Sequence, residues 1–124
     1  MALNVFGEEL ITCSNNQLTG FFRDGCCNTS DEDTGEHTIC VVVTADFLEF
    51  SKAAGNDLST PRPEHGFEGL KPGDQWCLCA MRWIEAKSSG LAPQVVLEAT
   101  HELMLDHIAL SELVKYAVRK QSVE

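Results

Sequence analysis

The chain has 124 residues and a formal net charge of −10, with nine basic residues against nineteen acidic ones. This length fits one domain, and a hydrophobic fraction of 44% supplies enough apolar side chains for a core. Because nucleic acids and anionic membranes are bound through an excess of Lys and Arg, the acidic balance argues against both partners. The start of the chain lacks the basic and apolar segments of a signal peptide, so we expect a cytoplasmic protein.

Two segments carry the apolar pattern of internal strands. Residues 38–43 and 75–83 place apolar side chains on both alternating faces, which is typical of strands covered on both sides. Between them, Thr44 is expected to cap a helix that ends at Gly55. A long irregular loop, rich in Pro and Gly, is predicted over residues 56–74.

The last third of the chain is predicted to add a strand and short helices. A third strand is expected at residues 94–98, with helices at 85–89 and 101–107. Ser111 is expected to cap a final helix, whose C-terminal end carries Lys115, Arg119 and Lys120. Residues 1–124 thus predict a single compact α+β domain, with a mixed β-sheet of three or more strands, packed helices and a long irregular loop.

Six cysteines are many for this length. Cys26, Cys27, Cys77 and Cys79 are candidate ligands of a zinc or iron centre, since Cys77 and Cys79 are expected on one face of a strand. However, the chain lacks the Cys-x-x-Cys spacing that is usual for such centres. Buried structural cysteines and a redox-active or nucleophilic thiol are the alternatives.

A nucleophilic thiol needs a nearby base or positive charge. Cys26 or Cys27 is the candidate nucleophile, and His37 or His101 the candidate base. His101 follows the third predicted strand, where a single His is more often a hydrogen-bonded structural residue. The acidic run Asp31 to Asp33 lacks calcium-loop spacing and is expected to be a solvated turn.

Two polar segments are candidates for binding a small ligand. In the first, Arg23, Asp24 and Asn28 lie in a glycine-containing turn, and Arg23 is suited to a carboxylate or phosphate. The second is a proline-stiffened loop that can line a pocket or simply cover a sheet edge. Its hydrogen-bonding candidates are Asn56, Asp57, Ser59, Thr60 and Arg62.

Several motifs together resemble a bacterial family known only as domain of unknown function 2237. They include the Thr19–Asn28 turn, the Gly55–Pro63 loop and the Trp76–Ala80 segment, and the remaining ones lie at residues 37–40, 70–74, 82–83 and 96–101. The resemblance covers nearly the whole chain. It implies a small standalone domain, and it assigns no activity and no residue roles.

These patterns leave three hypotheses open. The first is a domain that binds a small polar ligand or a metal ion between the Arg23–Asn28 turn, the Asn56–Arg62 loop and the Cys77/Cys79 strand. The second is a thiol-dependent enzyme. The third is a non-catalytic protein that binds a partner through an exposed apolar patch. The sequence does not indicate an oligomeric state.

Overall fold

A three-stranded sheet lies at the centre of the fold in the computed structural model, which describes residues 2–15 and 18–118. The strands are β1 (Ile39–Val42), β2 (Gln75–Leu78) and β3 (Gln94–Val95), in the order β2-β1-β3. Both neighbours run antiparallel to β1. In the described residues, the one parallel pairing at this sheet is an isolated bridge between Val95 and Ala117. The α+β prediction is confirmed, with antiparallel ladders where we expected a mixed sheet.

Three α-helices and several 3-10 turns surround the sheet. The helices are α1 (Ala45–Ala53), α2 (Ala80–Ser88) and α3 (Leu110–Leu113). The Thr44 hydroxyl accepts a 3.0 Å hydrogen bond from the Phe47 amide, which is the predicted N-cap of α1. In the part of the chain that the structure describes, no helix combines the length and apolar character that a membrane crossing requires.

The main core forms where the helices meet the sheet. Trp83 of α2 is fully buried, its indole N–H donates to the Pro93 carbonyl at 3.1 Å, and its ring packs edge-on against Tyr116 at 5.0 Å. Other large, fully buried side chains are Phe47, Ile39, Leu78, Met104 and Leu113. α2 is therefore anchored through its inward face.

The segment after β2 differs from the prediction. The expected strand over residues 75–83 ends at Leu78, and the helix begins at Ala80 instead of residue 85. Residues 76–81 are apolar at nearly every position, so they fit a helix as well as a strand. Burial of Ala80, Trp83 and Ala86, spaced three residues apart, selects the helix.

The C-terminal segments also differ in extent from the prediction. The third strand ends at Val95, and Leu97–Ala99 forms a 3-10 turn. Ala109, rather than Ser111, lies at the N-cap of α3, which is only one turn long. Arg119 and Lys120 lie outside the described residues.

Two disulfides form a second, smaller core. Cys13 pairs with Cys40, and Cys27 pairs with Cys77. All four side chains are buried, and Cys40 lies opposite Cys77 in the β1–β2 register. The disulfides thus tie residue 13 to β1 and residue 27 to β2.

Candidate functional site

A cysteine, a histidine and an aspartate form a hydrogen-bonded chain at the start of α2. The Cys79 Sγ lies 3.3 Å from Nε2 of His37, and Nδ1 of His37 lies 2.7 Å from Oδ1 of Asp33. The Asp33 side chain is 1% exposed, whereas that of His37 is 36% exposed. A nucleophile, a base and a buried group that orients the base are therefore arranged in the order that covalent catalysis requires.

The buried carboxylate of Asp33 organises the turn that carries His37. One oxygen, Oδ2, accepts hydrogen bonds from the His37 amide at 2.9 Å and the Thr29 hydroxyl at 3.0 Å, while Oδ1 faces the His37 ring. The prediction of a solvated acidic turn was therefore wrong for Asp33. Its four-residue spacing from His37 places both groups on one turn. The Asp33 carboxylate thereby holds the His37 ring through Nδ1, the nitrogen on the side away from Cys79.

Cys79 occupies the N-cap position of α2, directly after β2. Its backbone leaves the strand with φ −59° and ψ 135°, and the next amide, of Ala80, donates to the Glu36 carbonyl at 3.0 Å. This bond fastens the start of α2 to the residue that precedes His37. The positive end of the helix dipole of α2 therefore lies at Cys79.

The charge state of His37 depends on both of its neighbours. The hydrogen bond to Cys79 and the weaker effect of Asp33, against the opposing effect of burial, together raise the pKa of His37 to about 9. Burial alone would raise the pKa of Asp33, but hydrogen bonds from the His37 amide, the His37 ring and Thr29 leave it below its ordinary value. At neutral pH the trio therefore contains a protonated imidazole between two groups that favour its charge.

This arrangement predicts a stability that depends on pH. Because the pKa of His37 is raised from 6.5 to about 9 on folding, its contribution is fully present below pH 6.5 and is lost as the pH rises through 9. We expect Asp33→Asn and Cys79→Ser each to lower the His37 pKa measured by NMR, and to flatten the fall in stability over this window. An unchanged His37 pKa in both variants would contradict the arrangement.

Gly35 lies directly against the Cys79–His37 pair. A Cβ added there would lie 3.0 Å from the His37 ring and 3.1 Å from the Cys79 Sγ, which is tighter than ordinary van der Waals contact. We therefore expect Gly35→Ala to displace the pair by a few tenths of an ångström and to slow alkylation of Cys79 roughly tenfold, with little loss of stability. Thr34→Ala, an exposed neighbour, is the control, and equal rates in the two variants would refute this prediction.

A cleft of about 210 Å³ opens beside Cys79 and His37. The predicted polar turn contributes Arg23 to its lining, and the predicted polar loop contributes Asn56. The guanidinium of Arg23 lies 5.9 Å from the ring centroid of Trp76, which also lines the cleft. The structure thus brings together one part of each of the three segments that sequence reasoning selected.

The chain matches the model of a protein family over nearly its whole length. Residues 3–117 match the model of a family described as an uncharacterized protein conserved in bacteria (DUF2237). The chain belongs to this family. No curated protein matches the chain in sequence. Membership of the DUF2237 family confirms the predicted resemblance and assigns no activity, so functional roles rest on the geometry of the site.

The other predicted ligand-binding residues are mostly engaged in local structure. The Asp57 carboxylate accepts from the Ser59 amide and from the amide and hydroxyl of Thr60, and the Thr60 bond in particular lowers the pKa of Asp57 to about 2. Asp24 accepts from the Cys26 amide at 3.0 Å, and Asn28 from the Thr29 amide at 2.8 Å.

Arg62 and His101 lie away from the Cys79 cleft. Arg62 lines an adjoining cavity with Arg23 and Asp57. His101 caps a 3-10 turn by accepting from the Leu103 amide at 3.1 Å, and burial lowers its pKa. The cap is the structural role that is usual for a single His in this position.

The four cysteines predicted as metal ligands do not form one cluster in the structure. Cys27 and Cys77 form a disulfide, Cys79 contacts His37, and Cys26 lies 3.8 Å from the Thr12 hydroxyl. A different set is compact, since the Sγ atoms of Cys13, Cys27 and Cys77 lie within 4.8 Å of one another. These three buried cysteines are close enough to hold a metal ion, although each forms a disulfide here.

Two residues of the central trio were not recognised from the sequence. The acidic run predicts a solvated turn for Asp33, and the strand pattern predicts a metal ligand rather than a nucleophile at Cys79. The available signals were the four-residue spacing of Asp33 and His37 and the position of Cys79 ahead of a helical apolar stripe. His37 was already a candidate base.

Proposed function

We propose that this protein is a thiol-dependent enzyme in which Cys79 is the nucleophile, His37 the general base and acid, and Asp33 the positioning residue. The observation that carries the proposal is the hydrogen-bonded chain from the Cys79 Sγ through both ring nitrogens of His37 to the buried carboxylate of Asp33. Residue patterns alone favour ligand or metal binding over a thiol enzyme. The geometry of Cys79, His37 and Asp33 supports the thiol enzyme as the stronger hypothesis.

Cys79 is favoured over the two nucleophiles that the sequence suggested. Cys27 is fully buried and bonded to Cys77, so its sulfur is not a free thiol. Cys26 is a free thiol, and the contact found for it is the Thr12 hydroxyl, which is not a base. Cys79 is half-buried and lies within reach of an imidazole and a helix N-terminus.

The proposed reaction is attack on an electrophilic carbon, most simply an acyl group. The proton of the Cys79 thiol is held on Nε2 of His37, the sulfur forms a bond to the carbonyl carbon, and the C=O π electrons move to oxygen. When the carbonyl reforms, the bond to the leaving group breaks, and His37 donates its proton to that group. Water then attacks the thioester, His37 accepts the water proton, and the carboxylic acid leaves as the Cys79 sulfur departs.

The size of the cleft favours a small substrate. A volume of about 210 Å³ accommodates a group of modest size rather than a folded partner. The aromatic side chain of Trp76 and the polar side chains of Arg23 and Asn56 supply both apolar and hydrogen-bonding surface. We therefore propose a small polar molecule as the substrate, and no nucleic acid or membrane as a partner.

The proposal is tested by trapping the acyl-enzyme. In a Cys26→Ser background, the protein is incubated with a panel of activated esters and thioesters, and adducts are located by mass spectrometry. We expect acylation at Cys79 that turns over slowly, no adduct in Cys79→Ser, and slower acylation in His37→Asn. Absence of any adduct at Cys79, while a small free thiol in the same mixture is acylated, would overturn the proposal.

A second candidate function is zinc or iron binding by the reduced cysteine cluster. The three Sγ atoms lie within 4.8 Å of one another, and Cys27 and Cys77 are bonded to each other here. Reduction would let this pair move apart toward the roughly 3.8 Å expected between sulfurs of a tetrahedral zinc site with Zn–S bonds of about 2.3 Å. A dithiol reductant would break both disulfides by supplying two electrons and two protons per bond, which leaves four thiols in the protein and an oxidised dithiol. Metal binding would then release protons from the coordinating thiols.

The cellular compartment decides which form of the cluster prevails. Disulfides persist in oxidising compartments, whereas the cytoplasm that the sequence suggests keeps thiols reduced. We propose the reduced cluster as the metal-binding form of a cytoplasmic protein. Elemental analysis after anaerobic purification tests it: near-stoichiometric zinc or iron that is lost in Cys13→Ser supports the proposal, and metal-free protein with six titratable thiols refutes it.

A further inference from the structure

We infer that the substrate of the proposed thiol enzyme carries a carboxylate, which Arg23 binds in the cleft that it lines together with Cys79. This inference rests on the proposed function and names the substrate class. Arg23 is the residue shared by the Cys79 cleft and two adjoining cavities. In one of these, Arg62, His65 and Asp57 join it, so three of the four ionisable groups that line this cavity are basic in a strongly acidic protein.

The guanidinium of Arg23 has its hydrogen-bonding capacity largely available. Within the described residues, the four ion pairs are His37–Asp33, Arg82–Glu85, His107–Glu36 and Lys115–Glu112, and none includes Arg23. Its one side-chain hydrogen bond there is a long 3.5 Å contact from Nη1 to the Leu18 carbonyl. A planar guanidinium with five N–H donors, of which only one makes a hydrogen bond, a long one, within the described residues, is suited to bidentate binding of a carboxylate.

The backbone holds Arg23 in a fixed position relative to β2. The Arg23 amide donates to the Gly20 carbonyl at 3.0 Å, and the Cys77 amide of β2 donates to the buried Thr19 hydroxyl at 2.9 Å. The disulfide from Cys27 to Cys77 makes a second link between this turn and the strand that leads into Cys79. The guanidinium is therefore carried on a turn that is tied to the strand of the nucleophile.

Arg23 also has a strained backbone conformation. Its φ is +56°, in the left-handed region that a non-glycine residue rarely adopts. The Trp76 ring beneath the guanidinium stabilises a cation in this place. Strained residues at a cleft commonly have a functional role, and here the strained residue contributes its guanidinium to the lining of the Cys79 cleft.

The experiment compares two alkylating agents of nearly the same size. Iodoacetate carries a carboxylate and iodoacetamide is neutral, and both react with the Cys79 thiolate. In a Cys26→Ser background at low ionic strength, we expect the iodoacetate-to-iodoacetamide rate ratio, normalised to glutathione, to favour iodoacetate. Arg23→Gln should lower this ratio about tenfold and leave the iodoacetamide rate within about twofold, as for loss of one charge-assisted hydrogen-bonding group.

Two further variants keep this result interpretable. Arg23→Gly removes the side chain and relieves the strained φ, so it covers the case in which Arg23→Gln folds poorly. Lys87→Gln removes an equal charge from the last turn of α2, about 12 Å along the helix from Cys79, and should leave the ratio unchanged.

The outcomes separate the inference from the proposed function. A reactive Cys79 whose rate ratio is the same in the parent and both Arg23 variants overturns carboxylate binding by Arg23 and leaves the thiol enzyme standing. A Cys79 that reacts no faster than glutathione with both reagents overturns the proposed function itself. A fall in the ratio equal to that in Lys87→Gln also overturns the inference, because it reflects only the overall charge.

Discussion

Replacing His37 with Asn is expected to slow the alkylation of Cys79 at pH 7 by about 10²-fold or more, because the imidazole that holds the thiol proton is lost; this is the usual contribution of a positioned proton-transfer group. The substitution removes Nε2, the atom 3.3 Å from the Cys79 Sγ, and keeps an amide that can still face Asp33. The rate of each thiol toward iodoacetamide is followed by mass spectrometry of the native protein.

Cys26 is the internal control in that measurement. It is the other free thiol of the described residues and lies by the Thr12 hydroxyl, so its rate should not change. If the two thiols slow equally, the cause is a general change in the fold. If neither slows, His37 does not act on Cys79.

Removing the Cys27–Cys77 disulfide is expected to cost roughly 4 kcal/mol of unfolding free energy, from the entropy of closing a loop of this length. The sequence separation is 50 residues for this disulfide and 27 for Cys13–Cys40, for which we expect a slightly smaller loss. The paired substitution Cys27→Ala with Cys77→Ala is compared with the parent by urea unfolding.

Cys26→Ser serves as the matched control for this pair, because it is adjacent to Cys27 and forms no disulfide. It should change the unfolding free energy by no more than about 0.5 kcal/mol. A loss below about 1 kcal/mol for the paired substitution would mean that the bond contributes little under the conditions of the measurement. Titration of thiols in the unfolded parent then shows whether the disulfides were formed.

The strongest elements of the fold could be predicted because their local signals agree. The β-branched run around Val41 predicts a buried strand, and Thr44 with Asp46 predicts the start of α1. The end of β2 could not be predicted, since residues 76–81 satisfy both periodicities. Only the burial of Trp83 against Pro93 and Tyr116 decides between them, and that contact is tertiary.

The sequence predicts which segments line the candidate site, but it does not predict the contacts among Cys79, His37 and Asp33. Turn and loop composition selected the stretches that contribute Arg23 and Asn56 to the cleft. The pairing of Cys79 with His37 joins residues 42 positions apart, and it depends on β2 ending one residue before Cys79. The burial of Asp33 likewise follows from the turn that closes on His37, which acidic composition alone does not reveal.

The pairing of the cysteines likewise could not be predicted from the sequence. A count of six cannot specify which ones pair, because connectivity follows from spatial proximity. The β1–β2 register brings Cys40 opposite Cys77, and the preceding loops supply Cys13 and Cys27. Cys26 and Cys79 are thereby left as the free thiols, which narrows the choice of nucleophile.

The most direct test of the account is a site-resolved comparison of Cys79 and Cys26 in the native, unmodified protein. Limiting iodoacetamide is applied at pH 7, and the labelled fraction of each thiol is measured over time. We predict that Cys79 reacts at least tenfold faster than Cys26, although both are half-buried, because only Cys79 is paired with His37. Equal rates, or faster reaction of Cys26, would contradict the assignment of Cys79 as the nucleophile.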